Sequence, residues 1–138
     1  MPVGVCAFDL DDTLTCGDPL RAAATCLDHG YEIAINTARP VPWLDDELKA
    51  LNVLPLPGSP AFVHNPSSYR QTLHEVAETK ARAMDHIAAH FGTSNVVLFD
   101  DRPENVDAVR RRGYRAQLVS AHGTCGVSEE DLKAALGH

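Results

Sequence analysis

Apolar positions along the chain alternate between short continuous runs and sets spaced as on a helix. The opening run Val3-Gly4-Val5-Cys6-Ala7-Phe8 is rich in β-branched and small residues, the pattern of a strand buried on both faces. Leu20, Ala23, Ala24 and Leu27 then recur at helical spacing. Asp18 and Pro19 suit the N-cap and first helical position and Gly30 suits the end, so a helix is predicted over 20–30. Tyr31-Glu32-Ile33-Ala34-Ile35-Asn36 reads as a second short buried strand. A strand, a helix and a second strand of this kind form a βαβ unit, which makes the two strands parallel.

Trp43, Leu44, Leu48 and Leu51 predict another helix over 43–51. The stretch 52–68 carries Pro55, Pro57, Pro60 and Pro66 and reads as loop, although Ala61-Phe62-Val63-His64 could make a third strand. From 69 to 91, Leu73, Val76, Ala77, Ala81, Met84, Ile87, Ala88 and Phe91 hold helical spacing. They describe one long helix, or two broken near Thr79, a competent N-cap for a helix beginning at Lys80. Asn95-Val96-Val97-Leu98-Phe99 is the clearest buried strand; a helix over 103–112 closed by Gly113 and a strand over 114–119 follow. Ser128-Glu129-Glu130-Asp131 has the form of a capping box for a last helix ending at Leu136. This order of elements predicts an α/β fold, three-layer and Rossmann-like, with a mainly parallel sheet and helices on both faces.

A chain of 138 residues fits one domain spanning 1–138, large enough to bury about two-thirds of its unfolded surface. Composition is 44% hydrophobic and 22% charged, ordinary for a globular protein, and no apolar run reaches the ~20 residues that cross a membrane. The N-terminus lacks the basic flank and sustained apolar segment of a signal peptide, which points to the cytoplasm or another reducing compartment. Cys6, Cys16, Cys26 and Cys125 are scattered without C-x-x-C spacing, an argument against both a zinc site and a disulfide framework. A net charge of −7 disfavours nucleic acid and anionic membrane as partners. Arg110-Arg111-Arg112 reads as a solvated helix end complementing the dipole, and His86/His90 as a polar helix face.

The chemistry is expected where the strands end. Asp9, Asp11 and Asp12 crowd the end of the first strand, Thr37 and Arg39 follow the second, and Asp100 and Asp101 follow the strand ending at Phe99. In an open parallel sheet, ligands bind outside the carboxyl ends of the strands, so these groups meet on one edge. An Asp-x-Asp alone is equally a solvated acidic turn. Together, carboxylates in this number without a His or Cys ligand pair favour a hard cation such as Mg²⁺ over zinc.

Asp9-Leu10-Asp11-Asp12-Thr13 resembles the D-x-D-x-T motif of the haloacid dehalogenase superfamily, in its phosphatase branch. Thr37 resembles the second motif of that superfamily, Lys80 the third, and Asp100-Asp101 with Asn105 the D-D-x-x-x-N form of the fourth. The resemblance implies a Mg²⁺-dependent phosphomonoester hydrolase in which Asp9 attacks the phosphoryl group and forms an aspartyl-phosphate. Asp11 would serve as general acid and base. Thr37, Ala38, Arg39 and Lys80 would bind the substrate phosphate, with Lys80 stabilising charge. Asp9, the backbone carbonyl of Asp11, and Asp101 would hold the metal, with Asp100 and Asn105 behind them; the preference for Asp101 over Asp100 comes from the resemblance alone. Asp12 has no chemical role in this reading. Without the other motifs, Lys80 is a solvated helix lysine and Thr37 a turn cap; the rival cation Arg82 falls on another face of the helix.

Members of the superfamily usually gain selectivity from a cap inserted after the first or second motif. The stretch between Thr13 and Thr37 is consumed by a helix and a strand, and the stretch from Arg39 to Lys80 is too short for a folded cap. An open site is expected, completed by substrate or by a homo-oligomeric neighbour. A small phosphorylated metabolite or nucleotide is the preferred substrate class. Capless relatives also include polynucleotide 3′-phosphatases, which Thr37-Ala38-Arg39 and Asp100-Asp101-Arg102 resemble, and a non-catalytic phosphate-binding regulatory domain is the reading from a different class.

Overall fold

The computed structural model describes residues 3–37, 62–64, 73–120 and 125–137, apart from the side chains of Asp11 and of residues 62–64, 73 and 74. The expectations for Ala38, Arg39 and the helix over 43–51 lie outside the described residues. Five strands form one parallel sheet: β1 (Gly4–Phe8), β2 (Tyr31–Asn36), β3 (Phe62–His64), β4 (Val96–Asp100) and β5 (Arg115–Leu118). Their spatial order is β3-β2-β1-β4-β5. The chain winds outward from β1 through β2 to β3, then returns to β1's other side with β4. The strand order therefore reverses at β1/β4, the position where doubly wound sheets open a crevice at the carboxyl ends of their strands.

Helices α1 (Pro19–Asp28), α2 (Leu73–Phe91), α3 (Pro103–Arg111) and α4 (Glu129–Leu136) cover the two faces. Alternation along β1 assigns its side chains. Cys6 and Phe8 join Ala23 and Cys26 of α1 and Leu132 of α4 in one apolar layer, where Phe8 stacks on Phe99 with ring centroids 5.0 Å apart. Val5 and Ala7 join Ala81, Met84 and Ile87 of α2 and Val106 and Val109 of α3 in the other. The fold is the expected three-layer, Rossmann-like α/β arrangement.

Local signals account for most boundaries. Asp18 accepts a hydrogen bond from the Arg21 N–H at 3.1 Å, and Pro19 opens α1. Ser128 and Asp131 exchange reciprocal bonds with each other's backbone, at 3.1 and 2.9 Å, as a capping box for α4. Two elements that the local reading leaves open are decided by the fold. Residues 62–64 are a strand despite the surrounding prolines, because they pair in register with Ala34, Ile35 and Asn36 of β2. Helix α2 runs unbroken through Thr79, whose hydroxyl donates to the Glu75 carbonyl at 2.9 Å within the helix; this leaves Lys80 in a helix interior.

The cysteine expectation is corrected. Cys16 and Cys125 form a disulfide with their Cα atoms 5.7 Å apart, while Cys6 and Cys26 are free and buried. The partners stand 109 positions apart in sequence, so no local spacing announced them. Among the described residues, no helix is long and apolar enough to cross a membrane.

Candidate functional site

The register of β1 with its neighbours sets the site. Phe8 pairs with Ile35 of β2 and with Phe99 of β4, so the next residues outward, Asp9, Asn36 and Asp100, stand at one level of the sheet edge. The Asp9 N–H continues the ladder by donating to the Phe99 carbonyl at 2.9 Å. The chain then enters a wide helical turn over Leu10–Leu14, closed by a bond from the Thr15 N–H to the Leu10 carbonyl at 3.2 Å. Leu10 and Leu14 are buried and pin the two ends of this turn, while Asp12 at its outer side is exposed with φ 58°. Thr13 is buried and its hydroxyl reaches the Asp9 carboxylate at 3.4 Å.

Lys80 crosses from α2 into this edge. Its side chain is 2% exposed, and its Nζ donates to Asp9 Oδ1 and, at 2.7 Å, to Asp100 Oδ2. Burial is the largest influence on the lysine and works against its charge, but Asp9 and Asp100 together outweigh it and raise its pKa. Lys80 is therefore a fully paired ammonium.

The two adjacent aspartates of the β4 edge have different surroundings. Asp100 is completely buried: Oδ1 accepts from the Arg102 N–H at 3.0 Å, and Oδ2 accepts from Lys80 and from Asn105 Nδ2 at 3.1 Å. Asp101 is half-buried and shares a hydrogen bond with Asp9. Burial raises the Asp101 carboxyl; the bond to Asp9 lowers it and the charge on Asp100 raises it again. Burial also pushes Asp9 up, to about 7, against the pull of Lys80. Carboxylate oxygens of Asp9, Asp100 and Asp101 lie within 4.8 Å of one another.

These features together test the fit of a cation. An all-oxygen donor set suits a hard divalent ion. Carboxyls that burial pushes up and that lie this close to one another are groups such an ion would relieve. Asp100 has its oxygens engaged by three donors, whereas Asp101 faces Asp9. That physical difference separates the two aspartates, which the sequence alone does not.

The described structure thus gathers Asp9, Lys80, Asp100, Asp101 and Asn105 in one cluster. Thr37 follows Asn36 at the same edge and is fully buried. The backbone of Asp11 lies in the wide turn. Arg82 is exposed, as are His86 and His90. One residue of the site escaped the sequence reading. Asn36 is completely buried and its Nδ2 donates to the Lys80 carbonyl at 3.1 Å, with Met84 Sδ at 3.7 Å. Its Oδ1 has no hydrogen-bond partner among the described residues. An amide following the apolar run Ile33-Ala34-Ile35 was the available signal, because a buried polar side chain needs a reason.

Comparison with known proteins supplies the fold. No protein-family model matches the chain, and no curated protein does. An uncharacterized protein from Corynebacterium glutamicum is similar in structure at a TM-score of 0.67 and 14% identity, over 97% of this chain and 94% of that one. A UDP-GlcNAc 2-epimerase from Neisseria meningitidis, solved bound to UDP-GlcNAc, has a TM-score of 0.51 at 13% identity over 79% of this chain. A further UDP-N-acetylglucosamine 2-epimerase has a TM-score of 0.51 at 17% identity over 88% of this chain. The matches span 28% and 34% of the two epimerases. Likeness at these identities establishes a shared α/β architecture and nothing about chemistry.

Proposed function

We propose that the chain is a Mg²⁺-dependent phosphomonoester hydrolase of the haloacid dehalogenase type, with Asp9 as nucleophile. The observation that carries this reading is the buried Lys80 ammonium bridging Asp9 and Asp100 at the β1/β4 switch point. A purely structural lysine on a helix would reach solvent; this one is committed to two carboxylates at a sheet edge where ligands bind.

The roles follow from the surroundings. Asp9 attacks phosphorus through a carboxylate oxygen and the leaving group departs with the ester oxygen; water then hydrolyses the aspartyl-phosphate. Lys80 neutralises Asp9 and the transferring group, and Thr37 hydrogen-bonds a phosphoryl oxygen. Asp11 protonates the leaving oxygen and later takes a proton from water, a duty that rests on its place in the motif. Asp9, the Asp11 carbonyl and Asp101 would hold Mg²⁺, which when bound supplies charge neutralisation at the phosphate. Asp100, orienting Lys80 and held by Asn105 and the Arg102 N–H, stays behind them.

The net charge of −7 favours a small phosphorylated metabolite or nucleotide over a polynucleotide. Arg102, exposed one residue beyond Asp101, is the observation that keeps a polynucleotide 3′-phosphatase in the comparison. The disulfide weighs against the reducing compartment expected from the N-terminal sequence, so the proposal carries no compartment.

The test is Mg²⁺-dependent release of phosphate from a generic aryl phosphate. Asp9→Asn abolishes turnover, and Asp11→Asn lowers it by about 10²- to 10⁴-fold. Activity indifferent to a chelator, or retained in full by Asp9→Asn, refutes the mechanism. The same assay across nucleotides, sugar phosphates and 3′-phosphorylated oligonucleotides at two salt concentrations ranks the substrates; a steeply salt-sensitive preference for oligonucleotides reverses the ranking.

A further inference from the structure

We propose that the Cys16–Cys125 disulfide is a redox modification site, cleaved by a dithiol reductant, and that it governs the acidic turn carrying Asp9 and Asp11. Its activity readout rests on the phosphomonoesterase reading; its geometric basis does not.

The cross-link ties the exit of the wide turn over Leu10–Leu14 to the segment that enters α4. Two Cys-Gly pairs pack against each other there. A Cβ on Gly126 would sit 2.6 Å from the Cys16 carbonyl oxygen, and one on Gly17 would sit 3.1 Å from that of Cys125. Both glycines have positive φ, 93° and 71°, so neither the spacing nor the backbone tolerates a side chain easily. The non-glycine residues with positive φ among those described are Asp12 at 58° and Ser120 at 62°, and they meet at the same place. The Ser120 hydroxyl donates to the Asp12 carbonyl at 3.4 Å and accepts from the Gly126 N–H at 3.0 Å. Left-handed backbone at non-glycine residues persists only where the surroundings impose it. Four left-handed residues therefore surround one covalent bond on the outer side of the turn that follows Asp9 and contains Asp11.

The junction is polar and open, unlike the rest of the cysteine chemistry. Cys125 is exposed and Cys16 half-buried, beside exposed Asp12. Cys6 and Cys26, in contrast, are completely buried between β1 and α1, and burial pushes the Cys6 thiol well up, which leaves it inert. A reductant can reach the bonded pair and cannot reach the free one. In the exchange, a reductant thiolate attacks Cys125 Sγ, the S–S bond breaks, and Cys16 leaves as a thiolate that takes a proton from water. The second thiolate of the reductant then attacks the mixed disulfide and releases Cys125, which is protonated in turn. The protein gains two electrons and two protons, and the dithiol becomes a disulfide.

After cleavage, Leu10 and Leu14 still anchor the turn to the core, but its outer side around Asp12 loses the covalent tie beside it and keeps hydrogen bonds alone, from the Asp12 N–H to Thr15 Oγ1 at 3.0 Å and from the Ser120 hydroxyl to the Asp12 carbonyl at 3.4 Å. The backbone of Asp11, next to Asp12 in that turn, loses a fixed position relative to Asp9. The oxidised state is thus the active one.

Thiol titration of the denatured, unreduced full chain should count two thiols; a count of four overturns the proposal. Treatment with dithiothreitol should lower kcat for an aryl phosphate by about tenfold, as misplacement of a catalytic group does, with little change in KM, and oxidised dithiothreitol should restore it. Cys16→Ser/Cys125→Ser should sit at the reduced value and ignore the reagent. An unchanged or raised kcat in wild-type protein whose disulfide is demonstrably cleaved overturns the proposal. Amide hydrogen exchange over residues 10–17, which needs no turnover, should quicken on reduction. If neither redox state hydrolyses phosphate, the phosphomonoesterase reading fails by itself, and exchange decides this one: quickening upholds the coupling and unchanged exchange refutes it.

Discussion

Two clusters of charge hang from the same helix and behave in opposite ways. Lys80 and Asp85 lie five positions apart on α2, which turns them to different faces. Lys80 points into the sheet edge, 2% exposed, and binds Asp9 and Asp100. Asp85, with its side chain 46% exposed, accepts from Arg112 at 2.5 and 3.0 Å and from the Tyr114 hydroxyl at 2.7 Å. Each cluster pairs carboxylate with cation, yet the carboxyl of Asp9 is pushed up to about 7 by burial, whereas hydrogen bonds from Arg112 and Tyr114 hold Asp85 below its usual range. Water decides the difference. At the surface, pairing only assists a group that solvent already supports; in the interior, each charge depends on its partners, and the site depends on the set being complete.

The largest effect should come from removing the buried cation. Lys80→Met leaves Asp9 and Asp100 facing each other without an ammonium and should cost about 3–5 kcal/mol of stability, besides abolishing turnover. Neutralising one carboxylate in the same chain, Lys80→Met/Asp100→Asn, should recover part of that loss, with a coupling of more than about 1 kcal/mol. Urea unfolding of the two single variants and the double variant measures it. Strict additivity would show that the cluster is not one unit, and the contrast with Asp85 would fail.

A smaller effect tests whether the cluster tolerates one more negative charge. Asn36→Asp keeps the shape but replaces the amide that donates to the Lys80 carbonyl with an acceptor, and should cost about 2–4 kcal/mol at neutral pH. The introduced carboxyl would be buried, so its pKa would be raised in the folded state. The variant's deficit should therefore be small below the ordinary carboxylate range and grow as pH rises. Chemical denaturation at pH 4.5 and 7.5 distinguishes this from simple loss of packing, which would give equal deficits at the two pH values.

The sheet edge was legible because parallel winding sends the ends of all strands to one side. Once 3–8, 31–36 and 95–99 were recognisable as strands from their apolar runs, Asp9, Thr37, Asp100 and Asp101 were expected on one edge. Caps at Asp18 and Ser128 were legible because their bonds close within a few residues. What stayed open or hidden depends on distant partners. The strand at 62–64 exists through its pairing with β2 and not through its own composition. Asn36 gains its meaning from a carbonyl on α2, and the different surroundings of Asp100 and Asp101 come from donors on α2, α3 and the loop between β4 and α3. The disulfide joins residues 109 positions apart, and only the assembled fold brings them together.

The exposed cluster supplies the lower bound of the comparison. Asp85→Asn should lower Tm by about 3 °C or less, since an exposed pair gains little over hydrated ions, and the difference should fade in high salt. Its pH dependence follows from the depressed carboxyl. Folding holds Asp85 ionised below its unfolded pKa of about 3.9, so its contribution is present above that value and disappears as pH falls through the folded value. Tyr114 limits the alkaline side. Burial first, then its bond to Asp85, raises the phenol to about 12, so its share is intact below an unfolded pKa of about 10 and is lost as pH rises through about 12. Between these limits the Tm difference between wild type and Asp85→Asn should be flat, and in acid the two curves should converge. A Tm loss as large as that of Lys80→Met would mean that Arg112 and Tyr114 hold α3 against α2 through Asp85. Solvent exposure would then no longer separate the two clusters.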